Sequence, residues 1–126
     1  MFDSDDFSIK RVYAQASPDD GTRILVERLW PRGIAKDKAK IDLWLKDIAP
    51  SNVLRKRFHG APDRWDEFCS AYAAELDGEV GRAAVNELIR YRKRGPVTLL
   101  YAARNEEQNN AVALKAYMVG QAKKRT

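Results

Sequence analysis

The chain has 126 residues, of which 44% are hydrophobic, 10% aromatic and 33% charged. This is the ordinary length of one domain, and the apolar content excludes an intrinsically disordered chain. The formal net charge of +5 is a moderate excess, which favours an anionic partner but does not by itself indicate nucleic acid.

Two strands are predicted near the amino terminus. Residues 7–14 begin with alternating apolar and polar side chains, which predicts a strand at or near a sheet edge. Residues 17–21 are rich in turn formers, and residues 22–29 predict a second strand. The Trp-Pro-Arg-Gly run at 30–33 ends it, because proline cannot donate to a ladder hydrogen bond.

Four helices are predicted next. Apolar residues at 41, 44, 45 and 48 recur at helical spacing, and a proline follows at position 50. Serine and proline at positions 51 and 62 suit the first turns of further helices, and an Asp-Gly pair separates the last two. The predicted ranges are residues 37–48, 51–59, 62–76 and 80–91.

A third strand and a fifth helix complete the prediction. Residues 97–103 are almost continuously apolar, which is typical of a strand covered on both faces of a parallel sheet. Asn105 is predicted to cap the last helix. We therefore expect one α/β domain over residues 1–126, with an ordered core at about 7–119 and frayed ends. Its small mixed or parallel sheet of about three strands would pack with about five helices, the third strand running parallel to the second.

Several classes of protein are disfavoured. No run reaches the roughly 20 apolar residues of a membrane span, and the acidic start does not resemble a signal peptide. The single cysteine, Cys69, permits no internal disulfide and lies on an apolar helix face, so we expect it in the core. We expect a cytoplasmic protein with no membrane partner. No metal site or cofactor is predicted, because phosphate-loop, dinucleotide and metal-ligand spacings are missing.

A ligand site is predicted where strands end. Ligands of open α/β sheets bind beyond the carboxyl ends of parallel strands, where Arg28, Arg32 and Arg104 would converge. Guanidinium groups suit phosphate or carboxylate, so a small anion is the expected ligand. The predicted ligand-binding residues are Arg28, Trp30, Arg32, Gly33, Tyr101, Arg104, Asn109 and Asn110.

Other interpretations stay open. The arginines could pair with carboxylates within a non-catalytic protein-interaction domain, and a nucleic-acid-binding module is a further alternative. Trp44 and Trp65 are expected in the core. Whether the protein is an enzyme, and its oligomeric state, are not decided. Tyr101, Glu27 and His59 would be the proton-transfer candidates, although His59 also suits the end of a helix.

Several segments together resemble one known family. They are VERLWPRG at 26–33, KDIAPS at 46–51 and TLLYAAR at 98–104, with Trp44, Leu54, Arg55, Phe58, Trp65, Phe68, Asn109 and Ala111. This combination resembles the YeaO-like family, domain of unknown function 488, over about residues 9–118. The resemblance implies a small α/β fold in a bacterial or archaeal cytosolic protein, and it implies no particular activity.

The sequence departs from the family pattern at four positions. The pattern usually has Asp in place of Glu27 and often has Asp in place of Asn105. It often has His where this chain has Gln108 and Asn110. The resemblance therefore implies a weaker acid or base function at the end of the third strand, and it leaves the arginines and Asn109 as the shared polar residues.

Overall fold

A computed structural model describes the backbone of residues 6–124 and the side chains of residues 6–120. The expected fraying of the two ends falls largely outside the described residues. Short 3-10 turns lie at Pro18–Asp20, Lys46–Ile48 and Pro62–Arg64. The strands and α-helices, in chain order, are β1 (Phe7–Arg11), β2 (Thr22–Leu25), β3 (Leu43–Trp44), α1 (Asn52–Phe58), α2 (Trp65–Leu76), α3 (Glu79–Arg94), β4 (Val97–Tyr101) and α4 (Asn110–Lys124).

The strands form one parallel sheet in the order β1-β4-β2-β3. β4 lies in the interior of the sheet, where Leu99 pairs with Ile9 on one side and with Ile24 on the other. All five β4 residues are buried, as expected for a strand covered on both faces. The parallel pairing of β4 with β2 and the edge position of β1 are confirmed.

The two faces of the sheet are covered differently. Ile24 and Leu99 belong to the larger core, which α2, α3 and α4 complete with residues such as Leu88 and Leu114. A smaller cluster on Val12, Leu25 and Leu100 is covered by Trp30, Ile34, Ile41 and Trp44. On this second face, the sheet is therefore covered mainly by the irregular segment between β2 and β3 instead of by a layer of helices.

This arrangement explains why the predicted helix over residues 37–48 is wrong. Ile41 and Trp44 pack into the smaller cluster, whereas Leu45 and Ile48 pack into the larger core. The four apolar residues thus serve two cores instead of one helical stripe. Lys40 also adopts a φ of 51°, outside the right-handed helical region. The described chain has four strands and four α-helices, against about three and about five expected.

A buried network of charged side chains fixes the segment between β2 and β3 near the amino end of β2. Arg23 is 5% exposed, and its Nη1 donates to Asp20 Oδ2 at 2.5 Å. Its Nε donates to the carbonyl of Lys40 at 2.8 Å, and its backbone N–H donates to Asp42 Oδ2 at 2.8 Å. Lys10 adds a 2.7 Å ion pair to Asp20. These bonds hold the loop that leads into β3 against β2.

Two predicted helix caps have different outcomes. Ser51 Oγ accepts a hydrogen bond from the Leu54 backbone at 3.1 Å, so the predicted cap of α1 is confirmed. The predicted cap of the last helix at Asn105 is wrong, because α4 begins only at Asn110. Asn109 caps it instead, with Oδ1 accepting from the Val112 backbone at 2.9 Å.

Candidate functional site

A cleft of about 1200 Å³ lies beyond the carboxyl ends of β2 and β4. One wall is the segment that follows β2, and a second is the segment that follows β4 and leads into α4. The third wall is formed by α1, the turn after it and the first residues of α2. This is the sheet edge at which parallel α/β folds bind ligands.

Glu27 connects the strand ends at this cleft. Its Oε2 accepts from the Ala102 backbone at 3.0 Å, and its Oε1 accepts from Asn110 Nδ2 at 3.0 Å. One carboxylate thus joins the segments after β2 and β4 to the first residue of α4. Burial raises the pKa of Glu27, and the bond from Ala102 and the charge of Arg55 only partly oppose this rise.

Three basic side chains line the cleft against this one acidic residue. They are Arg32, Arg55 and Lys56. Arg55 Nη1 donates to Asn52 Oδ1 at 3.1 Å along α1, which orients its guanidinium. The carbonyl of Arg32 accepts a 2.9 Å bond from the Tyr13 hydroxyl, which ties the loop after β2 to the segment after β1. Among the charged side chains of the lining, cations therefore predominate.

Aromatic rings supply much of the remaining surface. Trp65 and Phe68 stack at 5.4 Å between ring centroids, and Phe58 meets Phe68 edge-on at 5.8 Å. Trp30 lines the cleft near the strand ends, with its indole N–H donating to the Ile34 carbonyl at 2.7 Å. Trp65 packs partly against the larger core as well as lining the cleft. Trp44 packs against the smaller core, as predicted.

Four of the predicted ligand-binding residues lie in the cleft lining. They are Trp30, Arg32, Asn109 and Asn110. Asn109 is 5% exposed, and both ends of its side-chain amide bond to nearby backbone. It therefore shapes the start of α4 as well as bordering the cleft.

The expected convergence of three arginines is wrong. Arg28 directs its Nη2 to the Ala49 carbonyl at 2.8 Å and lies 3.8 Å from Asp47. Arg28 therefore bonds to the loop before α1 and does not line the cleft. Arg104 is exposed and also lies outside the lining, so only Arg32 of the three reaches the site.

Gly33 and Tyr101 also lie outside the lining. Gly33 has a φ of 77°, and the space that a Cβ atom would occupy there is open to 4 Å, so the glycine serves the turn after β2. Tyr101 is 3% exposed. Burial raises the pKa of its hydroxyl, and the negative charge of Glu106 adds to this rise.

The other two candidate reactive groups differ in position. His59 is exposed at the end of α1 and lines the cleft. Cys69 is half-buried on α2 and packs against the larger core, in line with the prediction. Burial and the charge of Asp66 raise the pKa of its thiol. Among residues 6–120, no three His, Cys, Asp or Glu side chains are grouped to hold a metal ion.

Sequence reasoning missed the third wall of the cleft. Arg55, Lys56 and Phe58 lie on α1, and Trp65 begins α2. No local pattern distinguishes these residues from an ordinary basic, amphipathic surface. Their role at the cleft depends on how α1 and α2 pack across the strand ends, which spacing along the chain does not encode.

Comparison with known proteins identifies the family. The family model described as "Inactive DUF488-N3 subclade" matches residues 6–126. The chain belongs to this family. This confirms the resemblance to domain of unknown function 488.

Relatives of the chain cover most of its length. The uncharacterised protein YeaO of Escherichia coli is 45% identical over 109 residues, which are 86% of this chain and 93% of YeaO. An uncharacterised protein of Mycobacterium tuberculosis is 42% identical over 112 residues, which are 89% of this chain and 92% of that protein. No solved structure gives a significant match. Within the described residues, no helix has the length and apolar character that a membrane crossing requires.

Proposed function

We propose that the cleft binds a small anionic molecule with a planar apolar part, in a cytoplasmic protein that does not transform this ligand. The observation that carries the proposal is the joint lining of one strand-end cleft by Arg32, Arg55 and Lys56 together with aromatic rings. The cationic side chains would hold a phosphate or carboxylate. Trp30 and Trp65 would contact the planar part.

The size of the cleft agrees with a small-molecule ligand. Ligand sites typically occupy about 300–1000 Å³ and combine apolar walls with a few polar groups. At about 1200 Å³ this cleft is slightly larger and open to solvent at α1, where Lys56 and His59 are exposed. Cations at such a mouth would also speed the arrival of an anion.

Three findings support binding without chemistry. The family model that matches the chain is described as inactive. Tyr101, one of three candidate proton-transfer groups, is buried outside the cleft lining, which leaves Glu27 and His59. At positions 108 and 110, where the resemblance implies frequent histidine, the side chains are amides, which do not ionise near neutral pH and so cannot act as a general acid or base.

Isothermal titration with phenyl phosphate and with inorganic phosphate tests the proposal. We expect phenyl phosphate to bind more tightly than phosphate, because only the former contacts the aromatic walls. Lys56→Gln and Arg55→Gln should each weaken binding by about tenfold, the usual effect of losing one charge-assisted contact.

Matched controls separate the cleft from general charge effects. Arg57→Gln removes a neighbouring charge of α1 that lies outside the lining, and Arg104→Gln removes one after β4. Both should leave the affinity within about twofold. Equal losses in control and cleft variants, or no binding of either ligand by the wild-type protein, would contradict the proposal.

A further inference from the structure

An acidic residue such as Glu27 is not expected in a site that binds only an anion. It is the one acidic side chain in a lining that also holds three cationic ones. The carboxylate of Glu27 would repel a bound phosphate or carboxylate, so it cannot serve to attract an anionic ligand. Glu27 therefore either has a purely structural role or makes a different kind of contact with the ligand.

The structural role of Glu27 uses only part of its hydrogen-bonding capacity. An ionised carboxylate offers about four acceptor directions. The Ala102 N–H and the Asn110 side-chain amide take one on each oxygen. Glu27 also lines the cleft, so its remaining acceptor capacity borders the space available to a ligand.

The environment of Glu27 favours a further donor. The side chain is largely withdrawn from water at the strand ends, which penalises its charged form. A donor brought by a ligand would stabilise that charge in a site where water competes weakly. The two existing bonds also fix the direction of the carboxylate, so such a contact would lose little conformational entropy on binding.

We infer that Glu27 determines ligand specificity by accepting a hydrogen bond from an amino or ring N–H group on the planar part of the anion. This inference rests on the proposed function and narrows its ligand class to amino-bearing aromatic anions. The anionic group would lie toward Arg55 and Lys56, the ring against the aromatic walls, and its N–H donor on Glu27.

Two matched ligand pairs test this inference by isothermal titration. They are 4-aminophenyl phosphate with phenyl phosphate, and adenosine monophosphate with purine riboside monophosphate, which lacks the exocyclic amine. In the wild-type protein we expect the amino-bearing member of at least one pair to bind about tenfold or more tightly, the usual effect of a hydrogen bond to a charged group.

Glu27→Gln should remove this preference, so that the amino-bearing and the amino-free member of each pair bind with equal affinity. The Ala102 N–H can only donate, so the amide oxygen of the new side chain should turn toward it. The amide NH₂ would then replace the oxygen that accepts from Asn110, whose own amide can turn to offer its oxygen instead. The same NH₂ would meet the ligand's amine, and two donors do not pair. The circular dichroism spectrum and the thermal unfolding of the variant verify that it is folded.

The outcomes separate the two proposals. If phenyl phosphate binds but neither amino-bearing ligand is preferred by the wild-type protein, the inference about Glu27 is overturned and the anion cleft stands. If a preference exists and Glu27→Gln keeps it, Glu27 is not its source. If no ligand binds, both proposals fail. The comparison within the wild-type protein can overturn the inference even if the variant does not fold.

Discussion

At the scale of single residues, charged side chains are buried at one end of the strands and exposed at the other. At the amino ends of the strands, Asp20 and Arg23 are 7% and 5% exposed and bond directly to each other. At the carboxyl ends, Arg32 and Lys56 are exposed at the cleft. The first pair stabilises the fold because its charges are satisfied internally. Arg32 and Lys56 are the cations that we propose contact a ligand.

Asp20→Asn tests the stabilising task. Removing one partner of a buried ion pair leaves Arg23 undercompensated, so we expect the free energy of unfolding to fall by about 3 kcal/mol in urea denaturation. Asp19→Asn, at the exposed neighbouring position, should change it by no more than about 0.5 kcal/mol. Similar losses for the two variants would show that the buried network does not stabilise the fold.

The difference in unfolding free energy between wild type and Asp20→Asn should depend on pH. Burial alone would raise the pKa of Asp20, but bonds from Lys10, the Ser17 backbone and Arg23 outweigh it and lower the pKa below its ordinary 3.8. An acid with a lowered pKa contributes its full stabilisation above the unfolded value and loses it as the pH falls through the folded value. The advantage of wild type over Asp20→Asn should therefore shrink below about pH 3.8.

Residue-level prediction from the sequence was only partly successful. The position of strand ends sufficed to place Trp30, Arg32 and Asn110 at one edge, and all three line the cleft. Arg28 was misassigned because nothing in the sequence indicates that the Ala49 carbonyl would need a donor. A guanidinium that binds a ligand and one that binds backbone have the same local sequence pattern.

At the scale of elements, α4 illustrates how a cap fixes where a helix begins. Asn105 Oδ1 accepts from the backbones of Glu107 and Gln108, so it forms a local turn before the helix. Asn109 bonds back to the Asn105 carbonyl and forward to Val112. The segment between β4 and α4 is thereby held as one bordering wall of the cleft.

Asn109→Ala tests this assignment. Losing the cap should lower the free energy of unfolding by about 1 kcal/mol, and the buried site adds to the cost of the lost amide contacts. Asn105→Ala, which affects an exposed turn, should cost clearly less. Chemical denaturation of both variants provides the comparison. A larger loss at Asn105 would place the helix start where the sequence alone predicted it.

The elements that sequence predicts well are those whose pattern has one cause. β4 is almost continuously apolar because both of its faces are covered, and α1 follows a serine cap. Residues 37–48 were mistaken for a helix because their helical spacing arises from packing on two different cores. The 3.6-residue spacing of apolar residues, which normally indicates a helix, here results from tertiary packing.

At the scale of the whole molecule, the buried ion network and the cleft that we propose as a ligand site lie at opposite ends of the strands of one parallel sheet. The sequence was sufficient to predict the parallel pairing of β2 with β4 and the edge at which the cleft lies, but it missed β3. It was insufficient for the wall made by α1 and α2, because that wall depends on long-range packing.

The central claim is that an aromatic anion binds in the strand-end cleft, and amide chemical-shift mapping during titration with phenyl phosphate tests it most directly. Backbone resonances of Gly60, Ala102 and Ala103, which line the cleft, should shift progressively and saturate. Those of Thr22 and Gly95, at the opposite edge of the sheet, should stay in place. Shifts centred on Thr22 and Gly95, or no saturable shift anywhere, would contradict the account.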